Sequence, residues 1–229
     1  PLSLHVIKSD DLAVDKNKQT INKSLYFVPG LTVMNDNNFA QDARISIRGV
    51  GIRSSFGVRG IKILVDGVPE STPDGQAQLD NLDLSFIRSI NIFQGANSPL
   101  FGNASGGAIN FITSKNNKSD AFEINSSYST SRTTKHTLFT SKSYKNLSYQ
   151  LNFLSKDHTG YRNHSEMKSH NLNAIFSLNS KKGELFQLLF NYINSPISND
   201  AGSLTIDEVN EDRTNAREKN ILYEAGEDI

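Results

Sequence analysis

Five histidines, two glycine clusters and one acidic run are the residues of this 229-residue chain whose types could do chemistry. The histidines are His5, His136, His158, His164 and His170. None stands in a compact metal spacing such as H-x-x-x-H. His164 and His170 flank a predicted loop and strand start, where exposure is the simplest reading, and His5 and His136 fall within strand patterns. There is no cysteine, hence no disulfide framework, thiolate metal site or thiolate nucleophile. Gly49-Val50-Gly51 follows a strand pattern and Gly106-Gly107 lies in a small-residue turn. No Gly-Lys-Ser/Thr is present and no amphipathic helix follows either cluster, so both read as turns rather than phosphate cradles. Asp207, Glu208, Glu211 and Asp212 are followed by Arg213, Arg217 and Lys219. That run is a solvated, self-compensating segment without the ligand pattern of a calcium loop. G-x-S-x-G is absent and no other nucleophile motif stands out. The sequence predicts no enzyme, no cofactor and no metal site.

The elements that must position these residues follow two grammars. Residues 1–115 read as a small mixed domain. Leu4–Ile7 is a short strand, and Ser9 or Asp10 caps a helical turn through Leu12–Val14. Thr20–Val28 forms a second short helix with Ile21, Leu25 and Val28 on one face, stopped by Pro29-Gly30. Short β-branched runs follow at Ile45–Ile47, Ile61–Val65, Ile90–Phe93 and Ala108–Ile112, with Asp66-Gly67 as a hairpin signal. After Lys115-Asn116-Asn117-Lys118 the pattern becomes two-residue alternation over strands of about ten residues. These fall near 119–130, 134–144, 147–157, 168–179 and 184–194. Leu147, Tyr149, Leu151 and Phe153 oppose Ser148, Gln150 and Asn152; Phe186, Leu188, Phe190 and Tyr192 make another apolar face. Such strands have the length of a tilted bilayer crossing, about 9–11 residues. Lys145-Asn146 and Lys181-Lys182-Gly183 are tight turns, whereas 158–167 and 195–229 are long and polar, although 131–133 breaks the alternation of short and long.

Composition fits that picture. Lys+Arg and Asp+Glu are 24 each, so no global field points to nucleic acid. Mean hydropathy is -0.44, which resembles a soluble protein. A membrane β-barrel has the same look, because only every second strand residue meets lipid.

In chain order, the pieces PGL (Pro29–Leu31), ISIRG (Ile45–Gly49), ILVDGVP (Ile63–Pro69), GQ (Gly75, Gln76), LFG (Leu100–Gly102) and GGAINFIT (Gly106–Thr113) resemble the plug domain of TonB-dependent outer-membrane receptors. Gly160–Asn163 and Asn210–Asp228 resemble loop segments of the ferric-citrate and siderophore branch. The resemblance implies an α+β plug domain, a small mixed sheet with short helices, over 1–115. It implies that 116–229 holds the first strands and loops of an antiparallel transmembrane β-barrel, incomplete. With no initiating Met at Pro1 and an end inside a charged segment, the chain reads as an internal fragment of a longer exported protein. Such a protein would sit in the bacterial outer membrane, embedded in its lipid. It would import a scarce nutrient chelate, a ferric siderophore or ferric citrate, using TonB and its inner-membrane energising complex.

By the same resemblance, two plug loops, Ile52–Val58 and Glu70–Gln78, contact ligand through Arg53, Ser54, Ser55, Arg59, Asp74 and Gln76. Guanidiniums and an amide can hold chelate oxygens through charge-assisted bonds. The alternative is that Arg53 and Arg59 pair with Glu70 and Asp74. Arg48, in ISIRG, is implied to meet a barrel-wall acid, or else is an exposed strand-end charge. The family pattern I-E-R-I-E-V-L-R-G-P is replaced here by Ile87-Arg88-Ser89-Ile90-Asn91-Ile92-Phe93-Gln94-Gly95-Ala96, so Gln94 cannot make the charged contact expected of the arginine. A soluble β-rich lectin or adhesin module remains the alternative to a transporter. It would bury its apolar strand face against another sheet, where a barrel turns it to lipid. A glycine-rich nucleotide enzyme is the third.

Overall fold

A computed structural model describes residues 3–8, 20–35, 38–54, 57–72, 75–77, 79, 82–95, 98–113, 120–130 and 132–228. The chain divides into two compact units, 1–115 and 116–229.

In the first unit the short β-branched runs become strands because each pairs with another. The strands are β1 (Ser3–Lys8), β2 (Leu31–Met34), β3 (Arg44–Ile47), β4 (Ile61–Val65), β5 (Val68–Pro69), β6 (Ile87–Gln94) and β7 (Gly107–Thr113). Five form one sheet in the order β1-β6-β7-β4-β5, while β2 and β3 form a separate hairpin. All pairings are antiparallel except β4 with β7, which makes the sheet mixed. The helix α1 spans Ile21–Leu25, shorter than the pattern suggested, and buries Ile21 and Leu25 with Val28 just beyond its end, and α2 is a single turn at Ser98–Phe101. A helical turn at Leu12–Val14 lies outside the described residues. Alternation on β6 buries Ile90 and Ile92 against Ile45, Ile47, Ile63, Ile109 and Phe111 in one core. At about 1.5–3 kcal/mol per fully buried large side chain, this cluster supplies the unit's main stabilisation.

Asp66 and Gly67 have φ of 53° and 85°, the left-handed pair of a two-residue hairpin between β4 and β5. The Asp66 carboxylate accepts from the backbone N–H and the hydroxyl of Thr113, tying this turn to the end of β7. At the other end of β7, a Cβ on Gly107 would lie 2.1 Å from the Phe93 carbonyl oxygen, and φ is 138°. Only glycine permits that approach.

The second unit is one antiparallel sheet, β8 (Ala121–Ser129), β9 (Thr133–Tyr144), β10 (Leu147–His158), β11 (Met167–Asn179) and β12 (Leu185–Ser198), in sequential order. The sheet is open, with β8 and β12 at its edges. Strands β9 to β12 hold 12, 12, 13 and 14 residues, enough for the roughly 9–11 of a tilted bilayer crossing. Register aligns the apolar residues in rows: Leu138, Phe153, Leu172 and Tyr192 are successive cross-strand partners, as are Tyr144, Leu147, Leu178 and Phe186. This face is exposed, with Leu188 at 64% and Phe190 at 50%. The residues between are buried and mostly polar, among them Gln150, Asn152, Asn171 and Asn173, with Phe139, Leu154 and Ile175 in the same rows. Such burial is the inverse of a sandwich, which would cover the apolar face with a second sheet. Towards the loop end the apolar rows give way to a polar one, Ser126, His136, Ser155, His170 and Asn194.

The strands begin and end close to where alternation places them, with one difference. β12 continues through Ser195–Ser198 because Met167 and Lys168 are there to pair with it, across a register shift near His170. The remainder of 195–229 contains two short helices, α3 (Ile206–Glu211) and α4 (Glu218–Leu222).

The Gly107 approach makes a test. Gly107→Ala is expected to speed hydrogen exchange across β6 and β7 by at least about 30-fold, the equivalent of about 2 kcal/mol of lost local stability. Exchange like the parent's would mean that a small backbone shift absorbs the methyl group.

Candidate functional site

The parallel pairing of β4 and β7 starts at Ile61↔Gly107, so the segments preceding both strands arrive at the same end of the sheet. β5 runs back beside β4 and delivers the segment after Pro69 to that end too. Three loops therefore meet there: 52–60, 70–78 and 95–106. Val58 and Ala77, both buried, stitch the first two together through reciprocal backbone bonds of 2.9 and 3.0 Å.

The loops bring Arg59 and Gln76 together. An Arg59 Nη2–H donates to Gln76 Oε1 at 3.0 Å, and Gln76 Nε2–H donates to Asp42 Oδ2 at 3.4 Å. Asp42 adds an acidic group that no strand or turn pattern singled out. The Gln76 side chain also fills the space beside Gly57, where a Cβ would come within 2.8 Å of its Nε2. Across the third loop, Asn103 Nδ2 lies 3.0 Å from where a Cβ on Gly75 would stand, placing a second amide beside this cluster. Arg53 is exposed in the turn that follows Gly51. Ser54 is buried, its N–H bonded to Gly51 O and its carbonyl accepting from Arg44 Nη1 at 3.2 Å. Ser55 and Asp74 lie outside the described residues. The arrangement offers hydrogen-bond donors of both charged and neutral type around one rim, suited to holding an anionic or oxygen-rich ligand without covalent chemistry. Among the described residues no cluster of three or more His, Asp or Glu is placed to hold a metal ion.

Arg48 sits at the end of β3 and is exposed. Its Nη2–H donates to Gln94 Oε1 at 3.1 Å, joining the arginine of ISIRG to the residue that departs from the family pattern.

A second ordered region lies in the long loops of the barrel-like unit. Arg162 spends its guanidinium on three carbonyls: Gly202 at 2.6 Å, Asn215 at 3.0 Å and Ala201 at 3.1 Å. His164 Nε2 bonds to Ala225 O at 2.9 Å, and Asn163 N–H to Thr214 O at 2.8 Å. The loop 159–166 and the segment 199–228 are thus one fold. Thr205 and Glu208 form a capping box at the start of α3. The Thr205 backbone N–H, then its hydroxyl, hold the Glu208 carboxyl below the usual carboxylate range. Asp212 is lowered likewise by the hydroxyl and N–H of Thr214. The acidic run is local scaffolding.

Residues 1–109 match the family model of the TonB-dependent receptor plug domain. Residues 1–109 are a TonB-dependent receptor plug domain. Both units also share the fold of solved siderophore receptors. The ferric yersiniabactin uptake receptor FyuA of Yersinia pestis is 20% identical with a TM-score of 0.66, over 85% of this chain and 31% of that one. The pyoverdine outer-membrane receptor FpvA of Pseudomonas aeruginosa, bound to pyoverdine, is 18% identical with a TM-score of 0.68, over 85% of this chain and 28% of that one. The siderophore receptor PiuA of Acinetobacter baumannii is 22% identical with a TM-score of 0.68, over 85% of this chain and 26% of that one. The chain therefore spans under a third of the length of these receptors.

Sequence reasoning reached the two plug loops of the receptor but missed Asp42, Asn103 and the stapling role of Arg162. GYRN had marked Arg162 as part of a loop motif; nothing local in the sequence says that it donates to three carbonyls of one distant segment.

Two outcomes check the outer loops. Arg162→Ala leaves three carbonyls without their donor, so protease cleavage within 199–228 of the folded receptor is expected to speed by about tenfold or more. Cleavage at the parent's rate would remove Arg162 as the staple. A carboxyl held low in the fold adds stability above its unfolded pKa of about 4.3 and loses it as pH falls through the lower folded value. Carbon NMR of Glu208 is therefore expected to titrate below the ordinary glutamate midpoint, and Thr205→Val, which removes the hydroxyl but keeps the backbone N–H, to bring it only part of the way back. An unshifted midpoint in the parent would contradict the capping box.

Proposed function

We propose that this chain is the plug and first barrel strands of an outer-membrane importer for a scarce ferric chelate, either a ferric siderophore or ferric citrate. Energy reaches it through TonB and the inner-membrane energising complex. The observation that carries the proposal is a plug domain followed in the chain by a sheet whose exposed face is apolar and whose buried face is mostly polar. A water-soluble β module has no use for that inversion, whereas a strand crossing lipid requires it, with every backbone amide paired to a neighbouring strand.

Ligand binds at the rim built by Arg53, Arg59 and Gln76, with Ser54, Ser55 and Asp74 in the same two loops. The Arg59–Gln76–Asp42 chain supports this reading because it fixes the amide and guanidinium before ligand arrives, which lowers the ordering cost of binding. Arg53, exposed on its turn, supplies a cation to the rim. Arg48 contributes one donor to Gln94 and is available to a barrel-wall carboxylate through the others. No bond in the chelate needs to be broken by the protein; the work is binding followed by a change in the conformational equilibrium of the plug.

In the full-length receptor, Arg53→Ala and Gln76→Ala are each expected to weaken ferric-chelate binding by about tenfold at unchanged surface abundance, the scale of a lost hydrogen bond to a charged group. If both variants bind every tested ferric chelate like the parent at equal abundance, the rim assignment fails. Leu188→Arg puts a charge on the exposed apolar face and is expected to cost about 2–4 kcal/mol of folding stability in bilayers, less if the site lies near the interface. Indifference of bilayer folding to this change would refute the lipid-facing assignment.

A further inference from the structure

Arg48 and Gly49 form the two-residue turn that ends β3. Ile47 N–H and Val50 O are 3.0 Å apart, as are Val50 N–H and Ile47 O, and both central residues have positive φ, 49° and 85°. Turns of this type ask for Asn, Asp or Gly at the first central position, because other side chains crowd the backbone there. An arginine held in the left-handed region is a strained residue that persists only when its surroundings over-determine it.

The surroundings do so. Arg48 N–H donates to Gly30 O at 2.7 Å. Its side chain lies over Gly30, whose missing Cβ would stand 3.3 Å from Arg48 Cγ. Its Nη2–H donates to Gln94 Oε1 at 3.1 Å, and the same amide, only 2% exposed, donates from Nε2 to Pro29 O at 2.8 Å. Gln94 is the last residue of β6, paired with Ser3 on one side and Gly107 on the other. One side chain therefore links the five-stranded sheet to the β2–β3 hairpin at two points, the PGL turn and the strained Arg48. An amide can do this because it carries both an acceptor and donors. A carboxylate has no proton for Pro29 O, a guanidinium has no lone pair for Arg48, and an arginine here would set two cations against each other.

We infer that Gln94 is a positioning residue: its amide latches Arg48 in the left-handed conformation and so aims the Gly51–Ser54 turn that carries Arg53. Val50, inside the latched turn, packs against Gly106 and Gly60 at the loop end of β4 and β7, where a Cβ on Gly106 would stand 2.8 Å from Val50 Cβ. The turn seats the base of the first ligand loop on the sheet. With the latch intact Arg53 has one direction; with Gln94 disengaged, Arg48 relaxes towards negative φ and the loop leaves that seat. The inference builds on the ligand reading only in naming Arg53 as what is aimed, and hydrogen exchange reads the latch with no ligand present.

The test uses the full-length receptor in detergent and follows the amides of 47–54 and of 28–31. Gln94→Met removes both bonds at similar volume and is expected to speed exchange at 47–54 by about tenfold or more. On an Arg48→Gly background, where the left-handed turn needs no holding, the same Gln94→Met change is expected to alter exchange at 47–54 by less than about threefold. Gln94→Glu still accepts from Arg48 but cannot donate to Pro29, so 28–31 loosens while 47–54 stays as slow as in the parent. The latch is overturned if Gln94→Met leaves 47–54 unchanged, or loosens it as much with glycine at 48 as with arginine. Should Gln94→Met fail to fold, Gln94→Glu decides: equal loosening of the two segments, or none in either, overturns the proposal. A latch that passes this test alongside unchanged chelate affinity in Arg53→Ala would leave Gln94 a positioning residue and remove only the ligand assignment.

Discussion

The parallel register of β4 against β7 is the contact on which the plug's candidate site depends. Because Ile61 and Gly107 are partners, the two segments that precede them must end side by side, and the returning β5 brings a third to the same place. Antiparallel pairing would have sent one of these loops to the opposite end. On the other side of β7, Gly107 lies so close to the Phe93 carbonyl of β6 that only a glycine fits there. From the pairing of β4 with β7 follow the meeting of Arg59 with Gln76, the nearness of Asn103 to Gly75, and the seat on which Val50 rests.

The second unit obeys a different constraint. Its strands alternate as any half-buried strand does, yet the exposed side is the apolar one and Asn152 and Asn173 are among its most buried residues. Buried Asn173 has a partner across the sheet, since Asn191 Nδ2–H donates to its Oδ1 at 2.8 Å, and the half-buried Gln187 donates to the Ser177 hydroxyl at 3.2 Å. The outward residues need no partner if their surroundings are apolar. Alternation of apolar with polar residues along each strand accounts for a mean hydropathy that reads as soluble.

Between these two regimes the polar side chains that matter most are those with several bonds rather than those with the largest charge. Arg162 closes three carbonyls of one loop segment, Asp66 closes the end of β7, and Gln94 closes the gap between sheet and hairpin. Each works because a single side chain meets backbone groups that are remote in sequence. Loss of one such group leaves several partners unsatisfied together, which is costlier than the loss of a lone surface ion pair such as Lys168–Asp157 at 3.7 Å.

Local physics decided much of this protein before any tertiary contact. Period-two alternation set the strands of the second unit within a few residues, because a strand's two faces are fixed by backbone geometry alone. Asp66-Gly67 specified its turn, since few residues accept two positive φ angles in succession, and the motif order marked the plug. Tertiary structure decided the rest. Leu31–Met34 became a strand only because Arg44–Ile47 pairs with it, and β12 ran on to Ser198 because β11 was there to meet it. Of the candidate site, the two loops were legible, but the bonds from Arg59 to Gln76 and on to Asp42 were not. Nor was the partnership of Arg48 with Gln94, 46 positions apart. Hydrogen bonds between distant residues depend on where the fold brings their donors and acceptors, and no short-range pattern in the chain encodes that.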